Sequence, residues 1–284
     1  GDLDGNEYEI QNLTINRSGT DHVGLFRKMS NSEVSDLTLT DVNTGLERTG
    51  ALSGKSTDST YTDIHVDGNI EGYDMTGGII GQQYNTFVKK SSVSGQVNGA
   101  QNTGGLIGIA YGSQIIESKT IATVDSTGGN VTGGVTGKAT TGTEIKRSFS
   151  TGDISGDRLV GGITGSLEGT VKNSYSTGDI TSDDEAAGVV AIYRGGAIKN
   201  VYATGNITGP VSEGVVGYIL NIESGTSGLY WNSETTGQTS DKLAPSENGL
   251  TTEELTGSNA ESNLNNFNFT DTWKTTDSYP ELQE

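Results

Sequence analysis

Apolar residues recur along this chain in a fixed pattern: a Gly pair, an aliphatic residue, a small or aliphatic residue, and a further Gly. The pattern reads Gly-Gly-Ile-Ile-Gly at 77–81, Gly-Gly-Leu-Ile-Gly at 104–108, Gly-Gly-Val-Thr-Gly at 133–137 and Gly-Gly-Ile-Thr-Gly at 161–165. Degenerate copies precede and follow these four, and successive copies lie 26–29 residues apart. A period of this length predicts a repeat architecture in which each repeat is one structural unit.

Each repeat contains three short strand-like segments separated by Gly and polar residues. In the repeat that begins at Gly161, the segments are Gly162–Thr164, Val171–Ser176 and Asp179–Thr181. This is too little sequence for a crossover helix and fits one turn of a solenoid with three strands. We therefore predict an all-β, three-sided parallel β-helix of about eight to nine rungs, with any helical turn confined to the region after Ser224.

Rungs stacked about 4.8 Å apart would place equivalent residues in columns along the axis. We expect the glycines to serve tight corners with positive φ and a core with little room beside the strand. Three columns are apolar at every repeat and are predicted to point into one shared core. They are Leu52, Ile79, Leu106, Val135, Ile163, Val189 and Val215; Val34, Tyr61, Val88, Ile115, Ile145, Val171 and Ile198; and Ile70, Val97, Val124, Ile154, Ile180 and Ile207.

The repeat resembles that of a known group, the GLUG-repeat family of microbial surface proteins. The resemblance lies in residues 195–207, Gly-Gly-Ala-Ile-Lys-Asn-Val-Tyr-Ala-Thr-Gly-Asn-Ile, and in residues 171–180, Val-Lys-Asn-Ser-Tyr-Ser-Thr-Gly-Asp-Ile. The opening residues 3–10 and the closing residues 249–282 are also similar to segments that flank such arrays. The resemblance implies a right-handed β-helix with a cell-surface or adhesin-like role, and it carries no catalytic residues to this chain.

The period ends in the region after the last clear repeat, where aromatic residues gather. We predict that residues 1–223 form the GLUG-type β-helix and that residues 224–284 form a C-terminal cap, because the last rung of a solenoid presents an unpaired strand edge. A binding pocket built from the same aromatic residues is the alternative. These residues are Tyr230, Trp231, Phe267, Phe269, Trp273 and Tyr279.

Charge limits the partners of the protein. The chain has 17 Lys and Arg against 36 Asp and Glu, a formal net charge of −19, and no Cys. Nucleic acid and anionic membranes are therefore not expected as partners, and no apolar run is long enough for membrane insertion. The acidity fits a protein of a salt-adapted microbe, and it fits equally an ordinary extracellular domain. We read the segment, which begins at Gly1, as part of an extracellular or cell-surface protein.

Two groups of polar residues are candidates for binding or chemistry. Asp153 and Asp179 occupy one column, and Asp183 and Asp184 follow close by, so these four could form a weak site for calcium or monovalent cations or simply a solvated face. No other cofactor is expected. His22 and His65 lie about one and a half repeats apart and are predicted to be surface residues without a role in metal binding.

Aromatic residues offer a second candidate site. Phe149, Tyr175 and Tyr202 are repeat equivalents and Tyr230 continues the spacing, which predicts a stacked ladder along one face. The alternation around Val201 and Ala203 favours a ladder that points outward, where it could bind a glycan or a protein partner. A shift of one residue in phase would make the same ladder part of the core.

These observations favour a non-enzymatic surface protein, acting as an adhesin-like stalk, a filament subunit or a subunit of a cell-surface layer. Its partner would be a glycan or protein on a cell surface, or copies of itself. The alternative is a polysaccharide lyase or glycoside hydrolase on a β-helix scaffold, which would need paired carboxylates in a groove. The acidic run from Asp179 to Glu185 is where such chemistry is expected.

Overall fold

The computed structural model describes residues 1–17, 19, 21–45, 48–221 and 225–283. The chain winds into a parallel β-solenoid of about eight turns, which confirms the predicted fold class. Each turn runs through three faces in the same order, here called the first, second and third face. Strands of one face pair in parallel with the equivalent strands of the turns before and after them.

Among the described residues, the first face has eight strands and the third face has six. The first-face strands are Phe26–Ser30, Ser53–Thr57, Ile80–Tyr84, Ile107–Tyr111, Thr136–Ala139, Thr164–Leu167, Val190–Tyr193 and Val216–Ile219. The third-face strands are Met75–Gly77, Asn102–Gly104, Val131–Gly133, Leu159–Gly161, Glu185–Ala187 and Val211–Glu213.

The second face is the longest and contains 19 strands in the part of the chain that the structure describes, because most turns cross it in two or three short pieces. In the first turns the strands are Leu3–Asp4, Glu9–Gln11, Thr14–Asn16, Glu33–Gly45, Thr60–Glu71, Phe87–Lys89 and Ser92–Gly99. In the middle turns they are Gln114–Ile116, Lys119–Thr120, Thr123–Ser126, Glu144–Lys146, Phe149–Ser150 and Ile154–Gly156. In the last turns they are Thr170–Ser176, Ile180–Ser182, Ala197–Ala203, Ile207–Thr208, Ser227–Asn232 and Gly249–Leu250.

The three predicted apolar columns form the core of the solenoid. Every residue in them is at most 3% exposed, and the strand register pairs them as predicted, with Val88 beside Ile115 and Val171 beside Ile198. The period of the sequence therefore fixes which side chains point inward. Because each turn adds only a few aliphatic side chains, the core is narrow and depends on the neighbouring turns.

The Gly pairs of the repeat lie where the third face turns sharply into the first. A Cβ atom on Gly78 would collide with the carbonyl oxygen of Gly105, and one on Gly105 with that of Gly134. Neither Gly78 nor Gly105 has positive φ. The pairs thus permit close approach of successive turns and do not provide a left-handed corner, so the expectation of positive φ is wrong at these positions.

Left-handed glycines lie instead at the corner between the first and second faces, where Gly112, Gly142 and Gly196 have positive φ as expected. Further left-handed residues lie at a bend within the second face, and most of these are not Gly. Arg147, Asn173 and Asn200 occupy equivalent positions there with φ of 50°, 50° and 54°. The residue after each bend donates its backbone N–H to a hydroxyl of the next turn where one is available, as Ser148 N does to Ser174 Oγ at 3.3 Å. The bend changes the direction of the chain, so the outward side chains before and after it lie on different surfaces.

The C-terminal end of the core is closed by residues that follow the repeats. Ser227–Asn232 continues the stack on Ala197–Ala203, so this strand lies after the predicted boundary at 223 and 224, which itself falls outside the described residues. Trp231, Leu243 and Ala244 join the core cluster. The Asp241 carboxylate accepts hydrogen bonds from the backbone N–H groups of Val215 and Val216 at 2.7 and 2.6 Å.

The rest of the chain folds back along the outside of the second face. This segment, residues 251–283, is called the clip. It contains helix α1 (Thr252–Leu255), helix α2 (Gly257–Asn263) and an antiparallel pair, Trp273–Lys274 with Glu281–Leu282. Thr251 begins α1 with a capping box to Glu254. A 3₁₀ turn, Ser246–Asn248, precedes the clip, so the described helices all follow residue 224 as predicted.

Candidate functional site

The predicted aromatic ladder is present on the outer side of the second face. Phe149 pairs with Tyr175, Tyr175 with Tyr202, and Tyr202 with Tyr230. The rings of Phe149 and Tyr175 stack with centroids 4.7 Å apart and planes 5° apart, and those of Tyr175 and Tyr202 with centroids 5.0 Å apart and planes 2° apart. The ladder belongs to a cluster separate from the solenoid core, so its rings lie on the outer side of the solenoid.

The structure corrects the expectation that these outward rings are exposed. Tyr175, Tyr202 and Tyr230 are only 7%, 1% and 5% exposed, and Phe149 is half-buried. The clip covers them because the Trp273 ring packs against Tyr175 and Tyr202, with centroids 6.0 and 5.7 Å away. The faces of the three Tyr rings are therefore not available as a platform for sugar rings, and the ladder forms a second core instead.

Polar contacts attach the clip to several successive turns. The Tyr202 hydroxyl donates to the carbonyl oxygen of Pro280 at 2.6 Å, and the Arg147 guanidinium donates to the carbonyl oxygen of Gln283. The Asn232 amide donates to the Tyr279 hydroxyl at 2.7 Å. Burial raises the pKa of the Tyr175 and Tyr202 hydroxyls well above the usual tyrosine range, so both stay neutral. The clip thus bridges turns that are far apart in sequence.

A groove of about 520 Å³ opens beside the ladder, between the second face and the clip. Its floor carries Thr151, Thr177 and Thr204, which follow the ladder residues in three successive turns. The rest of its lining comes from the ladder, the adjoining turns and the clip, namely Tyr175, Tyr202, Asp179, Gly205, Asn206, Thr235, Ser278, Tyr279 and Glu281. This groove is the candidate binding site. Sequence reasoning missed the Thr column, although Thr-Gly follows the ladder position in all three repeats.

The column of aspartates has a structural explanation. The Asp153 carboxylate accepts the backbone N–H of Asp179 at 3.0 Å, and the Asp179 carboxylate accepts that of Asn206 at 2.9 Å. These N–H dipoles offset part of the repulsion between the stacked carboxylates. Within the described ranges, no three His, Cys, Asp or Glu residues are grouped so that they could hold a metal ion.

The neighbouring acidic run is only partly solvated. Asp183 and Asp184 are exposed, and the Asp184 carboxylate lies 3.9 Å from the Arg158 guanidinium. Glu185 is buried, and this burial, together with the charge of Asp184, raises the pKa of its carboxyl to about 7. It packs over Gly217 of the following turn.

A second buried carboxylate lies near Glu185 at the C-terminal end of the third face. Glu213 forms an ion pair with Lys242 at 2.6 Å. Glu213 pairs with Ala187, and Ala187 pairs with Gly161. Glu213 therefore occupies the position that the first Gly of the pair takes in earlier turns. Residues 240–242 pack there in place of a further turn, with the Ser240 hydroxyl donating to Glu213 at 3.3 Å, so a side chain fits. Glu185 and Glu213 lie outside the lining of the groove beside the ladder.

A second groove, of about 700 Å³, lies where the first face turns into the second. Glu144, Glu168 and Arg194 line it. Gly142, Gly169 and Gly196 also line it and have no side chain that would fill it. Lys138 pairs with Glu168 at 3.7 Å. Glu168 is thus engaged by a residue outside the lining of this groove.

The two histidines differ in their exposure to solvent. His65 is exposed and its Nδ1 lies 2.8 Å from the Ser92 hydroxyl. His22 is buried, which corrects the expectation for this residue, and neither of its ring nitrogens has a hydrogen-bond partner among the described residues. Burial lowers the pKa of His22, with further lowering by Lys28 and Arg48.

The repeat units match a described family. Residues 156–181 match the GLUG motif, and they span a third-face strand, a first-face strand and the second-face strand that carries Tyr175. The chain is a parallel β-helix that carries the GLUG motif. The motif corresponds to one full turn, with its Gly pair at the sharp corner and its Tyr in the ladder.

One solved structure is similar over 99% of this chain and 76% of its own length. It is a crystal structure of a proposed immunoglobulin A1 protease from Bacteroides ovatus, with 17% sequence identity and a TM-score of 0.48. This likeness carries no argument about activity. No curated protein matches the chain in sequence. Within the described residues, no helix is long and apolar enough to cross a membrane.

Proposed function

We propose that this GLUG protein is a non-enzymatic structural protein of the cell surface, with an adhesin-like or stalk-like role. In this role the β-helix is a rigid spacer that presents or connects partners outside the cell. The partners are glycans or proteins of a cell surface, or further copies of the chain in a filament or surface layer. A salt-adapted source fits the net charge of −19.

The observation that supports this role best is the clip. It fastens the turn of Arg147, the turn of Tyr202 and the turn of Asn232 to one segment through hydrogen bonds, and Trp273 packs across two turns of the ladder. A solenoid otherwise depends on contacts between neighbouring turns. Lateral fastening resists separation of turns, which a protein under tension outside the cell requires.

The surface location is tested by labelling intact cells of the source organism with antibodies against the folded protein. Labelling without permeabilisation is expected, together with loss of the signal after brief protease treatment of whole cells. A cytoplasmic protein labelled in parallel serves as the control. Labelling only after lysis would contradict the proposal.

A polysaccharide-acting enzyme is the second candidate, and Glu185 is the observation that favours it. A carboxyl with a pKa of about 7 can act as a general acid at neutral pH. Against this, Glu185 lies outside the lining of both grooves, and a general acid must reach the bond that it protonates. Release of reducing ends from neutral or acidic polysaccharides by the wild type, with loss of release in Glu185→Gln, would favour the enzyme.

A further inference from the structure

The groove beside the ladder contains hydroxyl groups that the protein itself does not use. The side-chain hydroxyls of Thr151, Thr177 and Thr204 form no hydrogen bond with any described residue. The Tyr175 hydroxyl also forms no hydrogen bond with a described residue, although Tyr175 is only 7% exposed. By contrast, the Tyr202 hydroxyl beside it is engaged with Pro280. The Tyr175 hydroxyl is not one of the buried side-chain atoms that lack a partner, so it opens into the groove, where a ligand hydroxyl can bond to it in place of water.

The spacing of these hydroxyls is regular. The three Thr residues occupy equivalent positions in successive turns, so they repeat at about 4.8 Å along the axis. This repeat is close to the length of one pyranose unit in an extended β-linked chain. A chain lying along the axis would therefore meet an equivalent hydroxyl at each unit.

The remaining lining sets the polarity of the ligand. Asp179 and Glu281 contribute carboxylates, and the lining contains neither Lys nor Arg among the described residues. Glu281 is paired with Lys274 at 3.0 Å through one oxygen, and Asp179 accepts from Asn206 through one oxygen. Each carboxylate therefore keeps a second oxygen that can accept hydrogen bonds from a ligand. A uronate, sulfated or phosphorylated ligand would meet repulsion here.

The groove also offers apolar contact. The ring edges of Tyr175 and Tyr202 and the half-buried ring of Tyr279 form one side of it. Its volume of about 520 Å³ lies within the range of small-molecule sites. Aromatic carbon beside a row of hydroxyls suits the alternating apolar and hydroxylated surface of a pyranose.

We infer that the groove between the Thr column and the clip binds an extended, uncharged β-linked oligosaccharide of a few pyranose units. The Thr hydroxyls and Tyr175 hydrogen-bond the sugar hydroxyls, Asp179 accepts further hydrogen bonds, and Tyr279 packs against the sugar. This inference rests on the adhesin-like role proposed above and specifies the class of glycan that the protein would bind in that role. Binding is measured on the purified full chain, so a failure here leaves the surface location open to its own test.

The experiment titrates the purified protein with cellotetraose and chitotetraose, and with tetragalacturonate as the anionic probe, by calorimetry at fixed salt. We expect one or both neutral tetrasaccharides to bind and the anionic one not to bind. Tyr175→Phe keeps the ring in the ladder and removes only the free hydroxyl, so it should weaken binding about five-fold without a change in Tm. Thr177→Val should weaken binding to a similar extent.

The matched control is Thr181→Val, because Thr181 is exposed and lies outside the groove. Its affinity should equal that of the wild type. Lack of binding by both neutral tetrasaccharides would overturn the inference. So would equal affinity for tetragalacturonate, or binding that Tyr175→Phe and Thr177→Val leave unchanged.

Discussion

The first and the last turns of this β-helix share one repeat but end differently. At the N-terminus, the strands Leu3–Asp4, Glu9–Gln11 and Thr14–Asn16 pair on one side only among the described residues, and their side chains are exposed or half-exposed. At the C-terminus, Trp231 closes the core and the clip adds a second core around the ladder. The repeat thus supplies a uniform interior, and what is added outside it distinguishes the two ends.

This difference predicts a gradient of local stability. In a solenoid the stability is approximately a sum of the terms of each turn and its neighbours. The turns that carry Tyr175, Tyr202 and Tyr230 have an additional term from the clip, whereas the strands of the first turn pair on one side only among the described residues. We therefore expect local opening to begin at the N-terminal end.

The largest effect is expected from Trp273→Ala. Trp273 is fully buried and contacts Tyr175, Tyr202 and Phe267, so its loss should lower the free energy of unfolding by about 3–5 kcal/mol. Phe26→Ala at the other end is the comparison, and because Phe26 is half-buried it should cost about 1–2 kcal/mol. Urea unfolding of both variants measures these values. Equal losses at the two ends would remove the basis of the comparison.

Salt should stabilise both regions through the net charge of −19. From low salt to about 1 M NaCl, screening should raise stability by about 2 kcal/mol, or about 4–8 °C in Tm. Thermal melts in NaCl, KCl and millimolar CaCl2 measure this. A Tm that does not change with salt would reject salt adaptation. A response to calcium alone would instead indicate a cation site, and Asp153→Asn would then abolish it.

The two ends should respond to pH in opposite directions. The raised pKa of Glu185, about 7 against 4.5, means that its contribution to stability is present below pH 4.5 and is lost as pH rises through 7. The lowered pKa of His22 means that its contribution is present above pH 6.5 and is lost as pH falls through the folded value. For Glu185, a pKa of about 7 against 4.5 corresponds to a loss of up to about 3 kcal/mol across this interval.

Substitution separates these two contributions. Glu185→Gln should flatten the pH dependence of the C-terminal end between pH 4.5 and 7, and His22→Gln should flatten that of the N-terminal end below pH 6.5. Hydrogen exchange, corrected for the intrinsic rate at each pH, reports the two ends separately. If both ends loosened together on acidification in the wild type, the assignment of these groups would be wrong.

The smallest effect is expected from two hydroxyl deletions in the ladder. Tyr202→Phe removes the hydrogen bond to Pro280 and should cost about 1 kcal/mol. Tyr175→Phe removes a hydroxyl without a protein partner and should leave stability unchanged. Thermal melts of the pair test whether the clip is held at Tyr202. Equal Tm values for the two variants would show that this hydrogen bond contributes nothing.

The sequence predicted the interior well because the interior obeys the period. A residue such as Ile163 repeats at each turn, and repetition identifies both its column and its inward direction. The outward phase of Tyr175 and Tyr202 followed from the same alternation. Because each strand repeats the residue types of the strand before it, an error of register would interrupt the apolar columns.

The covering of the ladder could not be predicted in the same way. Residues 251–283 have no period, and their contacts join residues far apart, with 78 positions between Tyr202 and Pro280 and 136 between Arg147 and Gln283. The aromatic residues of this segment indicated a cap. They did not indicate whether it closes the end of the core or lies along the side. Burial of Glu185 was missed because it depends on the following turn, where Gly217 leaves room for the carboxylate.

The most direct test of the account is hydrogen exchange, followed by mass spectrometry, on the wild type and Trp273→Ala under native conditions. In the wild type we expect protection to rise from the strands before residue 45 to those between 149 and 232. In Trp273→Ala, exchange should increase in 149–232 and stay unchanged in 53–99. An equal increase in both segments, or none in either, would contradict the claim that the clip stabilises the last turns locally.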